Sequence, residues 1–356
     1  MLGIKILTSF LLSFIFGFIT IPFILKFCKD RKLYDLPDFR KRHKQAIPRL
    51  GGISFFPCML MSFGLVLLIF SIKYTPNASV HLWYLYLLFG FFMIYIIGIL
   101  DDIVGISAKF KLLIQFIAAC CLPLAGIYID NLFGLFGVNE IPYYIGMPLT
   151  ILVILVITNA INLIDGIDGL SSSLSLIVLI VYLYIYSVYN AWVICVMCAG
   201  LAGCLVAFFY FNMFGKPEKN TKIFMGDSGS LTLGYLISAL FVRYLTLYSD
   251  YPTSDYHGIV LIYSALLVPV FDVARVVFFR IRIGKSIFSA DRNHIHHRLM
   301  DTGLSQHATL ITIISLTVFY ILINLLVYRV VENVTIIVVS DIVIYSLFCL
   351  IVREKC

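Results

Sequence analysis

Charge is scarce in this chain. Only 13% of its 356 residues are Asp, Glu, Lys or Arg, about half of what a soluble globular domain carries, which argues against a water-soluble class. A basic run ahead of the first apolar stretch is missing too. That stretch is too long for the core of a cleavable signal, so we expect it to stay as a span. No Lys/Arg stripe is interleaved with stacking aromatics. The 30 Phe and 22 Tyr lie mostly within apolar stretches, so the net charge of +7 does not read as nucleic-acid binding. The nine cysteines lack the spacing of a secreted disulfide framework. Cys195 and Cys198 form a CxxC inside an apolar helix, where it reads as packing. The three histidines at 294, 296 and 297 have neither a cysteine partner nor HExxH spacing, which argues against structural zinc.

What the chain does have is apolar runs, each long enough to cross a bilayer as a helix. They lie near 4–25, 53–72, 83–100, 112–129, 148–164, 172–189, 191–211, 229–248, 258–278, 308–328 and 335–352. The break between the sixth and seventh rests on little more than Tyr189-Asn190. The expectation is an all-α polytopic membrane protein, one domain over 1–356 with about eleven transmembrane helices. Lys and Arg crowd the alternate connections 26–49, 101–111, 213–228 and 279–307 and the tail, twenty-one in all, against Lys73 and Arg329 in the others. By the positive-inside rule the N-terminus lies outside and the C-terminus in the cytoplasm. That parity needs an odd number of spans.

The acids gather at the ends of these runs on the expected cytoplasmic side. Carboxylates are costly in lipid and mark function there by default. NAINLIDGIDGL (159–170) spaces Asn162, Asp165 and Asp168 at i, i+3, i+6, one stripe if the helix continues. Its glycines favour a helix end or loop that lets backbone approach a ligand. Asp101-Asp102 closes another run, with Lys109 and Lys111 just downstream. A carboxylate pair beside ammonium groups suits an anionic substrate handled through a divalent metal. FMGDSGS (224–230) puts Asp227 just before an apolar run. The plain reading makes Asp227 or Ser228 a helix N-cap, and such a terminus also favours phosphate. In RIRIGKSIFSADRNHIHHRL (280–299), histidine beside Arg280, Arg282, Arg292 and Arg298 suits a diphosphate. HKQAIPRLGG (43–52) reads as a loop with anion affinity. A secondary transporter is the rival class, but it needs ionisable sites near the midplane. The main charges within runs are Arg243, Asp272 and Arg275, of which the last two are placed to pair. The compact DG…AR…G…D…D pattern of CDP-alcohol phosphotransferases is absent.

PRLGG, DDI with Lys111, NxxDGxDGL, FMGDSGS and HIHH, in this order, resemble the polyprenyl-phosphate N-acetylhexosamine-1-phosphate transferases, the MraY-like glycosyltransferases. The resemblance covers roughly residues 1–310. HIHHRL after ADRN resembles the WecA/TagO-type branch, which starts O-antigen, enterobacterial common antigen and teichoic acid chains. It implies transfer of GlcNAc-1-phosphate from UDP-GlcNAc to undecaprenyl phosphate, giving undecaprenyl-diphospho-GlcNAc and UMP, with another UDP-N-acetylhexosamine as the alternative donor. It further implies Mg²⁺ (Mn²⁺ as the substitute), the bacterial inner membrane, and the lipid bilayer and both substrates as partners, with a homodimer allowed. Residue by residue, the resemblance implies Asp227 as a metal ligand with Asn162 close by. Asp168 and Phe224 would hold uracil, with Lys44 assisting. Asp101 and Asp102 would prepare the lipid phosphate, one of them as base, with Lys111 holding it. Asp165 would support the metal and nucleotide, and Arg280, Arg282 and His294 would grip the sugar diphosphate. Ile287 and Ala290 stand where the family often has proline, so the sugar-contacting loop carries over least securely.

Overall fold

The computed structural model describes residues 1–35, 46–71, 81–250, 256–287 and 292–354, and most of them are helical. Among the described residues the helices are α1 (Leu2–Arg31), α2 (Phe55–Ser71), α3 (Trp83–Val104), α4 (Ala108–Leu124), α5 (Tyr143–Leu163), α6 (Leu170–Val188), α7 (Trp192–Phe214), α8 (Asp227–Asp250), α9 (His257–Arg282), α10 (Ile295–Asp301), α11 (Gln306–Val331) and α12 (Val334–Glu354). Two small antiparallel pairs interrupt them: β1 (Tyr34–Asp35) with β2 (Ile47–Pro48), and β3 (Asn131–Leu135) with β4 (Val138–Glu140). Ten of the helices have the length and composition to cross a membrane. This is an all-α, multi-span membrane protein.

The expected span at 112–129 is where sequence and structure differ. Its helix, α4, has 17 residues, about 25 Å at the usual rise, the short end of what spans a bilayer. The stop is local chemistry. Gly126 sits at φ +80, and the amides of Gly126 and Ile127 return to the carbonyls of Pro123 and Leu122 at 3.0 and 2.9 Å. That is a Schellman closure, built on a residue without a Cβ. The break between the sixth and seventh spans is where the sequence places it: α6 ends at Val188, α7 begins at Trp192, and Asn190 takes a left-handed φ of +51.

Contacts within the chain group into two compact units, the first Met1–Ala118 with Ser175–Leu233 and the second Ala119–Leu174 with Gly234–Cys356. In the first, α1 lies along α7. Its buried edge begins Ser9, Ser13 and Gly17, and the facing edge of α7 holds Gly200, Gly203, Cys204 and Ala207. A Cβ on Gly17 would strike Ala207, and one on Gly203 would strike the Phe10 carbonyl. Small residues let helix backbones approach where lipid offers no hydrophobic drive, and Ser9 adds a 2.8 Å bond to the Val196 carbonyl. The opposite edge of α1 exposes Ile4, Leu7, Leu11, Ile15, Ile19, Phe23 and Phe27, a stripe suited only to acyl chains. Cys195 and Cys198 are fully buried free thiols, as packing residues should be.

In the second unit α9 packs against α5 and α11, and α12 adjoins both α9 and α11. Asn324 of α11 donates to Ser264 of α9 at 3.0 Å and to Asp341 of α12 at 2.9 Å, all three buried. Asp341 therefore joins Arg243, Asp272 and Arg275 as a charge-bearing residue within a span, one that the sequence reading passes over.

Candidate functional site

Three of the five motifs meet in the first unit. PRLGG runs beside FMGDSGS and holds it by backbone: Phe224 N–H donates to Pro48 O at 2.7 Å, Gly51 N–H to Phe224 O at 3.0 Å and Gly52 N–H to Met225 O at 2.8 Å. The approach is so close that a Cβ on Gly52 would overlap the backbone of Gly229. PRLGG thus supplies a clasp, a stronger role than anion affinity alone. Gly226, at φ +74, turns the chain into α8 while pressed against Arg49 O and the Asp102 carboxylate.

Asp101 and Asp102, neighbours in the last turn of α3, do different work. Asp102 is buried, and its two oxygens accept the amides of Asp227 and Ser228, each at 2.9 Å. The first amides of α8, with their partial positive charge, are therefore capped by a carboxylate from another helix. Asp102 thus takes up two of the donors that such a helix start would otherwise offer to phosphate. Arg49 donates from Nε to the Asp102 carbonyl at 2.8 Å, with Nη2 on the same oxygen. Asp101 accepts from Ile106 N–H at 2.8 Å and from Lys111 Nζ at 3.0 Å. The same ammonium pairs with Asp227. Burial works against the charged Lys111, but Asp227 and Asp101 outweigh it and hold its pKa above the ordinary lysine value.

The other two motifs meet in the second unit. α5 stops at Leu163, so Asn162 lies in its last turn, and Asp165 and Asp168, both partly buried, occupy the connection to α6. The one-stripe expectation ends there, and the helix-end alternative holds. A Cβ on Gly166 would strike the His296 ring, so the first Asp-Gly step lies directly against HIHH. His294 is buried, with Nδ1 2.8 Å from Asp272 Oδ2. Arg280 is buried too and donates to Ile287 O at 2.6 Å, whereas Arg282 is exposed. Lys44 lies outside the described residues. Sequence reasoning missed Arg49, which shares a basic loop with eight other Lys and Arg, and treated Asp272 only as a partner of Arg275.

Among the described residues no three His, Cys, Asp or Glu side chains form a group able to hold a metal unaided. Mg²⁺ does not require one, since it binds through one or two carboxylates plus water and phosphate oxygens. The point on which Asp101 and Asp227 converge already holds a cation, the Lys111 ammonium, so this carboxylate pair fits a cation shared with a substrate phosphate.

The model of glycosyl transferase family 4 matches residues 84–245, from the start of α3 to near the end of α8. A probable undecaprenyl-phosphate N-acetylglucosaminyl 1-phosphate transferase of Bacillus subtilis (strain 168) is 33% identical over 311 residues, 87% of this chain and 81% of that protein. The chain belongs to glycosyl transferase family 4. Undecaprenyl-phosphate alpha-N-acetylglucosaminyl 1-phosphate transferases of Pasteurella multocida (32% identical; 86% of this chain, 82% of that one) and Escherichia coli K12 (29%; 86% and 79%) are similar over the same extent. The family match takes in DDI, Lys111, NxxDGxDGL and Asp227. PRLGG and HIHH fall outside it, although the structure ties each to a motif within it.

Proposed function

We propose that this protein transfers GlcNAc-1-phosphate from UDP-GlcNAc to undecaprenyl phosphate, the first membrane step of a cell-surface polysaccharide. The observation that carries the reading is the cluster of Asp101, Lys111 and Asp227, a fixed ammonium between two carboxylates, in a chain of this family. A phosphate oxygen of the lipid attacks the phosphorus that bears the sugar. The bond from that phosphorus to the bridging oxygen breaks, and UMP leaves with the bridging oxygen. Such transfer needs positioning and charge neutralisation more than covalent help from the protein. Mg²⁺ held through Asp227, with Asn162 as the second expected ligand, would neutralise charge on the donor diphosphate.

The remaining roles belong to side chains of the protein. Lys111, held charged, orients the lipid phosphate, and Asp101 beside it takes any proton that phosphate carries. Asp102 serves by fixing the start of α8, and with it the direction of Asp227. Asp165 supports the metal and nucleotide, and Asp168 and Phe224 hold uracil, with Lys44 assisting. His294 and the exposed Arg282 meet the sugar diphosphate, while Arg280 shapes their loop through the Ile287 carbonyl. The active face lies in the cytoplasm, where UDP-sugars are found, with the bacterial inner membrane as host.

Purified protein with undecaprenyl phosphate, Mg²⁺ and a panel of UDP-sugars tests this through UMP release. UDP-GlcNAc should give UMP only when the lipid is present. Turnover of another UDP-N-acetylhexosamine in its place would change the sugar and keep the reaction. No lipid-dependent UMP from any donor would overturn the reading.

A further inference from the structure

We propose that Asp272 is a positioning residue that fixes His294 with a proton on Nδ1, leaving Nε2 as the ring edge that meets substrate. The inference rests on the reading of His294 as substrate-facing. Asp272, in α9, is fully buried, and both its oxygens are engaged. Oδ2 meets His294 Nδ1 at 2.8 Å, while Oδ1 accepts Ile295 N–H at 3.0 Å and Arg275 Nη2 at 2.7 Å. Arg275 Nη2 also donates to Asn293 O at 2.5 Å. One ion pair in α9 therefore grips the residue before His294, its ring and the residue after it.

The ring contact is what goes beyond anchoring. Two backbone bonds already tie the loop to α9, and an ion pair between Asp272 and Arg275 needs no histidine. An ionised carboxylate can only accept, so Nδ1 must carry the proton. Which nitrogen of a histidine does chemistry is set by the bond the other one makes. Nε2 makes no hydrogen bond among the described residues, and the ring lies parallel to His296, 9° between planes at 6.0 Å. Held from one edge, with a neighbour along its face, the imidazole has one orientation and one uncommitted nitrogen.

A double-mutant cycle on the full-length protein in detergent, read by lipid-dependent UMP release, tests the coupling. His294→Gln and Asp272→Asn should each lower kcat, on the order of 10²-fold, with the KM for UDP-GlcNAc changed far less. The double variant should be no slower than His294→Gln alone, because Asp272 acts through that ring. If the two losses multiply, Asp272 serves only the loop and the proposal is wrong, while the role of His294 stands. A fully active His294→Gln sinks the reading of His294 and the inference with it. Should Asp272→Asn fail to fold, ¹⁵N-histidine spectra of the unaltered protein, with His294 assigned by its loss in His294→Gln, decide the matter. A protonated Nδ1 supports the proposal, and an unprotonated Nδ1 overturns it.

Discussion

At the residue scale, a carboxylate that ends on a lysine and one that ends on backbone amides fail differently. Asp102→Asn keeps an oxygen for one of the two amides of α8 and turns an NH₂ group toward the other. One buried N–H is left unsatisfied, at a cost of about 1–3 kcal/mol. Asp101→Asn loses charge next to Lys111, where an amide can still accept. We therefore expect Asp102→Asn to lower both Tm and UMP release, and Asp101→Asn to lower release with little change in Tm; thermal denaturation beside the turnover assay separates them. Asp227→Asn should leave the helix start intact, since the bonds there use the backbone of Asp227, and should abolish turnover or raise its Mg²⁺ requirement. An active enzyme with unchanged Mg²⁺ dependence would remove Asp227 from metal binding. Lys111 gives a pH prediction. Its folded pKa is raised, so its contribution is complete below the unfolded value and is lost only as pH climbs through the folded one. Any alkaline loss of rate that disappears in Lys111→Arg should therefore fall above the ordinary value of 10.5, and a midpoint near neutrality would assign that loss to another group.

At the element scale, two glycines separate backbone strain from crowding. Gly105, which ends α3, and Gly226, which leads into α8, share a φ of +74, yet a Cβ at 105 meets nothing within 4 Å while one at 226 meets Arg49 O and the Asp102 carboxylate. Gly105→Ala should cost about 1–3 kcal/mol for the positive-φ backbone alone. Gly226→Ala should cost more and cut UMP release as well, because the clasp and the cap must both shift. Equal Tm losses with equal activity would show that the clasp does not hold the site. The same elements show what sequence could reveal. Long apolar runs fix helices whatever their neighbours, so α1, α7 and α11 were legible, as was the Tyr189-Asn190 break. The stop of α4 was legible in principle from Pro123 and Gly126, but run length outweighed it. Asp101, Lys111 and Asp227 were each picked out as rare charges at helix ends. Their division of labour was not, because the bond of Arg49 to Asp102 spans 53 residues and that of His294 to Asp272 spans 22. Periodicity within one helix says nothing about the partner a side chain finds on another. Asp341 was missed for the same reason: its buried bond to Asn324 joins two helices whose sequence shows only apolar runs.

At the scale of the whole molecule, orientation rests on charge and on α4. Ten helices among the described residues qualify as spans by length and composition, and an even number would return both termini to one side. The positive-inside count requires them on opposite sides, and α4 is the element that reconciles the two. Seventeen residues cross if the bilayer thins or if the extended chain after Gly126 completes the passage, at a modest cost in mismatch. If α4 crosses, the connections that carry DDI, NxxDGxDGL, FMGDSGS and HIHH all face the side where Lys and Arg gather. If it does not, DDI and NxxDGxDGL open on the same side only through some other compensating turn. Single-cysteine variants, each in an otherwise cysteine-free background, read this directly. With cysteine only at 356, intact cells should give no signal with an impermeant thiol reagent and full signal after lysis. With one cysteine placed at Val104, exposed at the end of α3 and ahead of α4, intact cells should again give no signal, because a crossing by α4 makes the number of spans between it and the tail even. Labelling of 356 in intact cells would reverse the tail and remove the proposed cytoplasmic site. Labelling of 104 with protection of 356 would keep the tail inside and show that α4 does not cross.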